Sequence, residues 1–383
     1  MKKITLLISL LSLFVYCGPK QEKPERIIED GIVHIKNPEK PIKGTVLLDI
    51  EKTREINPYK LEEVGFRQFR FARDADGEVI LLGMNQTEVH RFAHNGDYLG
   101  SLVKKGQGPG EFPDFSGLQI YFMNSQIWVT GLHKLAQFHK NGQFICEKKL
   151  GNNPEPLVDD SLFFVDQKRL SPEESVQKIL LVDLSSAETN KKKETVFFQA
   201  DNVGMIWDSS KYRRGLMEGW ATPYILMSYN KENRKAYVAL NTEYKIHVKN
   251  HKAETLYVIE KLHENVKVDL DAKIEILSNY LERDESNKWM LSAYPDTLVA
   301  IKDLKILPGN HIAVYRISGP KIFEVDIFDK EGKYLYMLKP PKGITLENAE
   351  FYNFGFATTE MTEDGFQIYV EYKIKNLPDI FQN

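Results

Sequence analysis

Cysteine is nearly absent from this 383-residue chain, which has only Cys17 and Cys146. At most one bridge can form, so a disulfide-dense scaffold is excluded. Stability must come from a large core, which 42% hydrophobic residues in a chain this long can supply. An excess of one charge is also missing: 51 Lys and Arg face 54 Asp and Glu, a formal net charge of -3 that becomes -5 without Lys2 and Lys3. No basic field exists to hold a phosphate backbone, and nucleic acid is not an expected partner. A long hydrophobic run is lacking as well, since the stretch from Ile4 to Tyr16 is too short for a stable membrane span. No Gly-x-Ser-x-Gly elbow appears, although triad residues need not be close in sequence.

What the N-terminus does have is Lys2 and Lys3 followed by that short apolar run, the arrangement of an export signal. The run ends at Cys17, with Gly18-Pro19 and a polar stretch behind it, as in a bacterial lipoprotein signal whose cysteine is lipidated. Tyr16 is bulkier than the residue usual before such a cysteine. Residues 1–16 are therefore expected to be a signal peptide. Residues 17–30, charged and proline-broken, read as a flexible tether reaching on the order of 45 Å. Gly18 lacks the aspartate that retains some lipoproteins at an inner membrane, which favours the outer membrane. Cys146, in the apolar run Phe144-Ile145-Cys146, reads as a small buried hydrophobe.

Three stretches repeat one pattern, Phe92–Tyr98, Phe138–Phe144 and Phe328–Tyr334. Each sets an aromatic four residues before a glycine (Gly96, Gly142, Gly332) and another two residues after it. This reads as strand, tight turn, strand, with the glycine free to take φ > 0. Gly96 and Gly142 lie 46 residues apart, the length of one four-stranded propeller blade. Phe66–Val103 and Leu118–Lys149 read as blades one and two, with Asp74-Ala75-Asp76-Gly77 as a hairpin turn whose glycine is misplaced for an EF-hand. Blades three and four, across roughly 161–182 and 223–259, lack the glycine turn. A helical period over about 268–291, carried by Ile274, Ile276, Leu277, Tyr280 and Leu281, marks an insertion before blade five (Leu298–Leu338) and blade six (Phe351–Ile374). The runs Gly31–Lys36 and Gly44–Ile50 are expected to pair with the last blade and close the ring. The predicted fold class is all-β, a six-bladed propeller over residues 31–383 closed by N-terminal strands.

Just after the first repeated hairpin stands Gly106-Gln107-Gly108-Pro109-Gly110-Glu111-Phe112. With that hairpin it resembles the NHL-type propellers and related bacterial six-bladed β-propeller lipoproteins, strongly over 66–150, moderately over 298–375 and weakly between. The resemblance implies a six-bladed propeller closed by N-terminal strands, in a group with many members of unassigned activity. The glycine-rich stretch has no following Lys-Ser/Thr and no helix start, so a tight inter-blade connector explains it better than a phosphate cradle.

Candidate sites are few. His94, His139 and His247 fall out of register with one another, and His90, His133, His251, His263 and His311 form no pair at metal-ligand spacing. No metal and no cofactor are expected. Lys191-Lys192-Lys193 reads as a solvated hairpin tip. The best binding-loop candidate is Trp207–Trp220, where Trp207, Tyr212, Arg213, Arg214 and Trp220 combine stacking surface with charge-assisted donors. The competing reading is a long loop whose aromatics pack on neighbouring blades. The sequence therefore points to a monomeric, lipid-anchored module of the cell envelope that binds a protein or glycan. A hydrolase or lyase using the propeller channel, metal-dependent or not, is the alternative.

Overall fold

The computed structural model describes residues 23–60, 68–83, 89–113, 118–123, 125–131, 134–149, 154–156, 162–170, 175–183, 193–201, 206–208, 213–215, 223–283, 285–319, 322–353 and 355–377. Six antiparallel sheets follow one another along the chain. Ahead of them come β1 (Glu25–Glu29), β2 (Ile32–Asn37), β3 (Thr45–Leu47) and β4 (Ile50–Ile56). Blade one is β5 (Phe69–Arg73), β6 (Val79–Gly83), β7 (Val89–Phe92) and β8 (Tyr98–Val103); blade two is β9 (Gln119–Met123), β10 (Gln126–Thr130), β11 (Lys134–His139) and β12 (Phe144–Lys149). Blade three is β13 (Pro154–Pro156), β14 (Leu162–Leu170), β15 (Ser175–Asp183) and β16 (Lys193–Asp201). A two-stranded ribbon, β17 (Ile206–Asp208) and β18 (Arg213–Gly215), precedes blade four, β19 (Ile225–Asn230), β20 (Lys235–Leu240), β21 (Lys245–Asn250) and β22 (Thr255–Lys261). Two helices, α1 (Leu270–Arg283) and α2 (Trp289–Ala293), lead into blade five, β23 (Ile301–Leu307), β24 (His311–Gly319), β25 (Ile322–Phe328) and β26 (Tyr334–Lys339). Blade six begins with β27 (Glu350–Tyr352), β28 (Gly355–Met361) and β29 (Gln367–Ile374). The protein is an all-β, six-bladed propeller with a helical insertion between blades four and five.

Ring closure differs from the expectation in its pairing. The Gly31–Lys36 run gives β2, which pairs in parallel with β22 on the outer edge of blade four and carries β1 as a further edge strand. The Gly44–Ile50 run gives β3, parallel to β26 on blade five. The missing fourth strand of blade six is instead β4, antiparallel to β29. The N-terminal segment thus laces the edges of three consecutive blades and covers backbone groups that an open sheet would expose. Glu25–Glu29, within the stretch read from sequence as a tether, forms a strand.

The core lies between blades. Clusters of buried side chains bridge blades one and two (Val89, Phe112, Ile127), three and four (Phe164, Phe197, Val238), four and five (Tyr237, Ile246, Phe328) and five and six (Tyr315, Leu338, Phe356). Ile56, Phe69, Val79 and Tyr369 join blade six to blade one. In the insertion, Asp269 Oδ1 accepts from the Ala272 amide at 2.9 Å and caps α1, and Lys273 Nζ donates to the Tyr294 carbonyl at 2.8 Å. Ile276 and Leu277 pack with Met290, Tyr294, Ile317 and Phe323 against blade five. Ile274, which the helical period placed with them, is 43% exposed. Residues three and two positions from a buried pair turn about 60° and 160° away from it, so Ile274 falls beyond the narrow stripe that blade five can cover.

The repeated hairpin joins the third and fourth strands of a blade. In each copy the residue after the first aromatic bonds across the turn, as in Ala93 N to Asp97 O (2.8 Å), His139 N to Gln143 O (2.8 Å) and Asp329 N to Lys333 O (3.0 Å). Gly96, Gly142 and Gly332 take φ of +93°, +89° and +84°. Blade four keeps the same turn without the glycine. Asn250 N donates to Glu254 O at 3.0 Å, and Ala253 holds the left-handed position at φ +66°. The turn survived there although its sequence mark did not.

Hairpin tips are also where neighbouring blades grip one another. Arg54 on blade six donates to the Gly77 and Ala93 carbonyls of blade one at 2.8 and 2.5 Å. Arg91 on blade one donates to the Lys140 carbonyl of blade two while its Nε holds Glu78 at 2.9 Å. Asn37 in β2 donates to Gly332 O at 2.9 Å and accepts from Tyr334 N at 2.8 Å, and Tyr257 OH donates to Lys330 O at 2.9 Å. Replacing Arg91→Ala leaves Glu78 buried without its cation and should lower stability by on the order of 3 kcal/mol in denaturant titration. Ala253→Gly relieves a left-handed alanine and should raise stability by about 1 kcal/mol; no gain in the melting temperature would mean the turn carries no strain.

Candidate functional site

A channel is lined by residues of β5, β9, β19, β23 and β27, the first strands of five blades. Arg70, Gln119, Tyr121, Met227, Asp303, Lys305 and Glu350 enclose about 480 Å³. The lining mixes both signs of charge. Lys305 Nζ lies 3.7 Å from Asp303 Oδ2 and donates to the Ala349 carbonyl at 3.2 Å. Burial pushes the Glu350 carboxyl above the usual carboxylate range, against the opposing pull of Lys305. Glu350 also borders a second cavity of about 410 Å³ lined by Arg73, Asp74, Phe351, Tyr352 and Asn353. There the Arg73 guanidinium lies 4.0 Å from the centre of the Tyr352 ring and its Nε reaches Glu371 at 3.3 Å. An acid, a base and donor groups therefore converge along the axis, where strand order alone sets them side by side.

The glycine-rich connector binds its own side chain. Glu111 Oε2 accepts from the Gly108 amide at 2.9 Å, in the position where a bound anion would sit, and a Cβ on Gly106 would lie 1.9 Å from that oxygen. Gly110 takes φ +72° and donates to Glu147 Oε2 at 3.1 Å, while Phe112 is buried between blades one and two. Gly106, Gly108, Pro109 and Gly110 thus form a closed turn that delivers Phe112 to the core.

Of the predicted binding loop, Trp207 lies in β17 and Arg213 and Arg214 in β18; Trp207 is opposite Arg214 and Asp208 opposite Arg213. Tyr212 and Trp220 lie outside the described residues, as do Cys17, the signal segment, Lys191-Lys192 and His133. β17 lies against α2, so the ribbon between blades three and four meets the insertion between blades four and five. Neither the period nor the composition of either segment signals that meeting. Cys146, expected to be buried, is only half-buried and donates to Gln137 Oε1 at 3.2 Å. Its alternate position on the outermost strand of blade two leaves one side open.

Sequence reasoning missed one grouping, at His34. His34 Nδ1 lies 2.9 Å from Glu260 Oε1 and 3.6 Å from Glu29 Oε2, and among the described residues this trio has donor atoms close enough to share a cation. Lys36 and Lys245 sit 2.8 and 3.3 Å from the two carboxylates, so the group already forms a neutralised ion-pair network stapling β1 and β2 to β22. The parallel pairing of β2 with β22 brings together residues 226 positions apart, a juxtaposition no local motif announces.

A family profile described as a 6-bladed beta-propeller, DUF5128, matches residues 62–202. Among solved structures, the chain is similar to an exported protein of Bacteroides fragilis NCTC 9343, at 12% identity and TM-score 0.44, over 90% of this chain and 100% of that one. It is also similar to a member of the DUF4221 family from Bacteroides vulgatus ATCC 8482, at 10% identity and TM-score 0.46, over 94% and 100%. A comparison with curated proteins finds no match.

Two histidines report on stability. Burial, reinforced by Lys245 and Lys249, pushes His247 down to about 4, and burial with Arg316 and Lys261 does the same to His263. The unfolded chain takes up these protons near 6.5 whereas the folded one resists until about 4. Their contribution is therefore complete above pH 6.5 and is lost as pH falls toward 4. Urea midpoints of the His247→Gln/His263→Gln protein should fall less steeply over that window than those of the parent; parallel slopes would remove these two groups from the account.

Proposed function

We propose that the chain is an exported, lipid-anchored propeller that binds a protein or glycan of the cell envelope, with Cys17 as the acylated residue and the outer membrane as its site. The observation that carries the reading is the meeting of β17 with α2. Two departures from the blade repeat, separated by the whole of blade four in sequence, come together on one flank of a rigid ring. The insertion also leaves Leu270 and Ile274 60% and 43% exposed. Exposed apolar residues on the insertion that β17 meets, and Trp207, Arg213 and Arg214 in the ribbon, supply the residue types of a recognition surface. A scaffold of this kind holds such a surface without ordering cost on binding. Among the described residues no helix is long and apolar enough to cross a membrane.

The channel supports a second reading, an enzyme of the hydrolase or lyase type. Glu350, with its raised carboxyl between Lys305 and Arg73, has the character of a proton donor. Metal analysis of the purified protein and assays of Glu350→Gln distinguish that reading.

Changing Trp207, Arg213, Arg214 and Trp220 together to alanine should abolish capture of the envelope component that the parent protein retains from solubilised membranes, with the melting temperature unchanged. Capture that persists in the folded variant would reject this surface.

A further inference from the structure

A cavity of about 530 Å³ opens where a hairpin tip of blade five meets the widened sheet of blade four. Its floor is the sheet face that β1 and β2 extend: Val33 is in register with Tyr257 of β22, and Arg26 of β1 faces Ile35 of β2. Alternation along β1 turns Glu25 and Glu29 to the opposite face, the one that carries Lys36 and His34. The walls are turns, the β19–β20 turn of blade four on one side and those at Asn310 and Lys330 of blade five on the other.

The polar groups on this cavity are mostly donors. Arg26 and Lys330 are exposed, and Lys235 is half-buried with its Nζ 5.2 Å from the centre of the Tyr257 ring. Among the described residues neither Arg26 nor Lys235 has a carboxylate within salt-bridge distance. Asn230 fixes a fourth donor. Its Oδ1 accepts from the Glu232 and Asn233 amides at 2.9 and 3.2 Å, so its Nδ2 is the atom that donates to Asn310 Oδ1. The Nδ2 of Asn310 is left over as a donor. The acid on the lining is Glu331, 4.0 Å from Lys330, while Asp329 beside it accepts from the Glu331 and Lys333 amides at 3.0 and 2.8 Å. Three cations against one carboxylate give the cavity a positive potential. Val33, Tyr257 and the 41% exposed Leu256 add an apolar side.

We propose that this cavity binds an acidic sugar. The carboxylate lies among Arg26, Lys235 and Lys330, a hydroxyl accepts from Asn310 Nδ2, and the apolar face of the ring rests on Val33, Leu256 and Tyr257. A bare anion would use the cations and leave the amide donor and the apolar side without a partner, in a volume suited to a small molecule. The site shares no residue with the ribbon or the insertion, so it goes beyond the reading above and fails separately from it.

Glucuronate is the probe, titrated into the full chain and followed by saturation-transfer NMR, with glucose as the neutral sugar and acetate as the bare carboxylate. Glucuronate should bind in the millimolar range, and glucose and acetate about tenfold more weakly or less well still. The Arg26→Gln/Lys235→Gln protein should lose about tenfold or more in glucuronate affinity, since two charge-assisted contacts go. Lys252→Gln removes an exposed cation of the β21–β22 turn that is not part of the lining and should leave affinity unchanged. Should the double variant fail to melt cooperatively, Arg26→Gln alone, on an exposed edge strand, should still weaken glucuronate measurably. No glucuronate signal, equal binding of acetate or glucose, unchanged affinity in the folded variant, or an equal loss in Lys252→Gln would each overturn the assignment.

Discussion

Side chains that reach across a blade boundary to the backbone of the next hairpin tip are the contacts on which the ring depends. Sheets stacked face to face by apolar side chains alone can slide, since dispersion and burial have little directional preference. The carbonyls of Ala93, Lys140 and Gly332 are fixed acceptors, and Arg54, Arg91 and Asn37 bond to them from the preceding blade or its added strand. Each bond needs the turn to present its carbonyl outward, which in turn needs a residue with positive φ. The glycine of the repeated hairpin and the arginine or asparagine that bonds to its tip are therefore two halves of one device.

The same logic explains the N-terminal lace. Asn37 works from β2, a strand that belongs to no blade in sequence order but occupies the edge of blade four. From there the chain crosses to β26 and then to β29, so blades four, five and six are bound by one continuous segment. An anchor at Cys17 would transmit any pull to the outer edge of blade four, where β1, β2 and the Glu29–His34–Glu260 network sit. An inter-blade cavity at Lys261 and Arg316 lies under the next stretch of the same lace.

Much of this was legible in the residues, for identifiable reasons. Blades one, two and five declared themselves because glycine is the one residue that adopts positive φ without strain, so turn geometry left a visible letter at Gly96, Gly142 and Gly332. Blade four hid the same turn because Ala253 tolerates that conformation at a cost that packing offsets. Ile274 was misplaced because period alone cannot say how wide a stripe a partner will cover. His34 was overlooked because its partner Glu260 is far along the chain, and the channel lining because its charges come from three separate blades.

By itself the sequence determined the strand modules, their number and the helical break, since these follow from local alternation, turn chemistry and length. Only the tertiary structure decided which edge each N-terminal strand covers, which arginine meets which carbonyl, and that the Trp207 ribbon lies against α2. Those choices are made between segments tens to hundreds of residues apart, where exposed backbone edges and buried charges must find partners together and no neighbouring residue records the outcome.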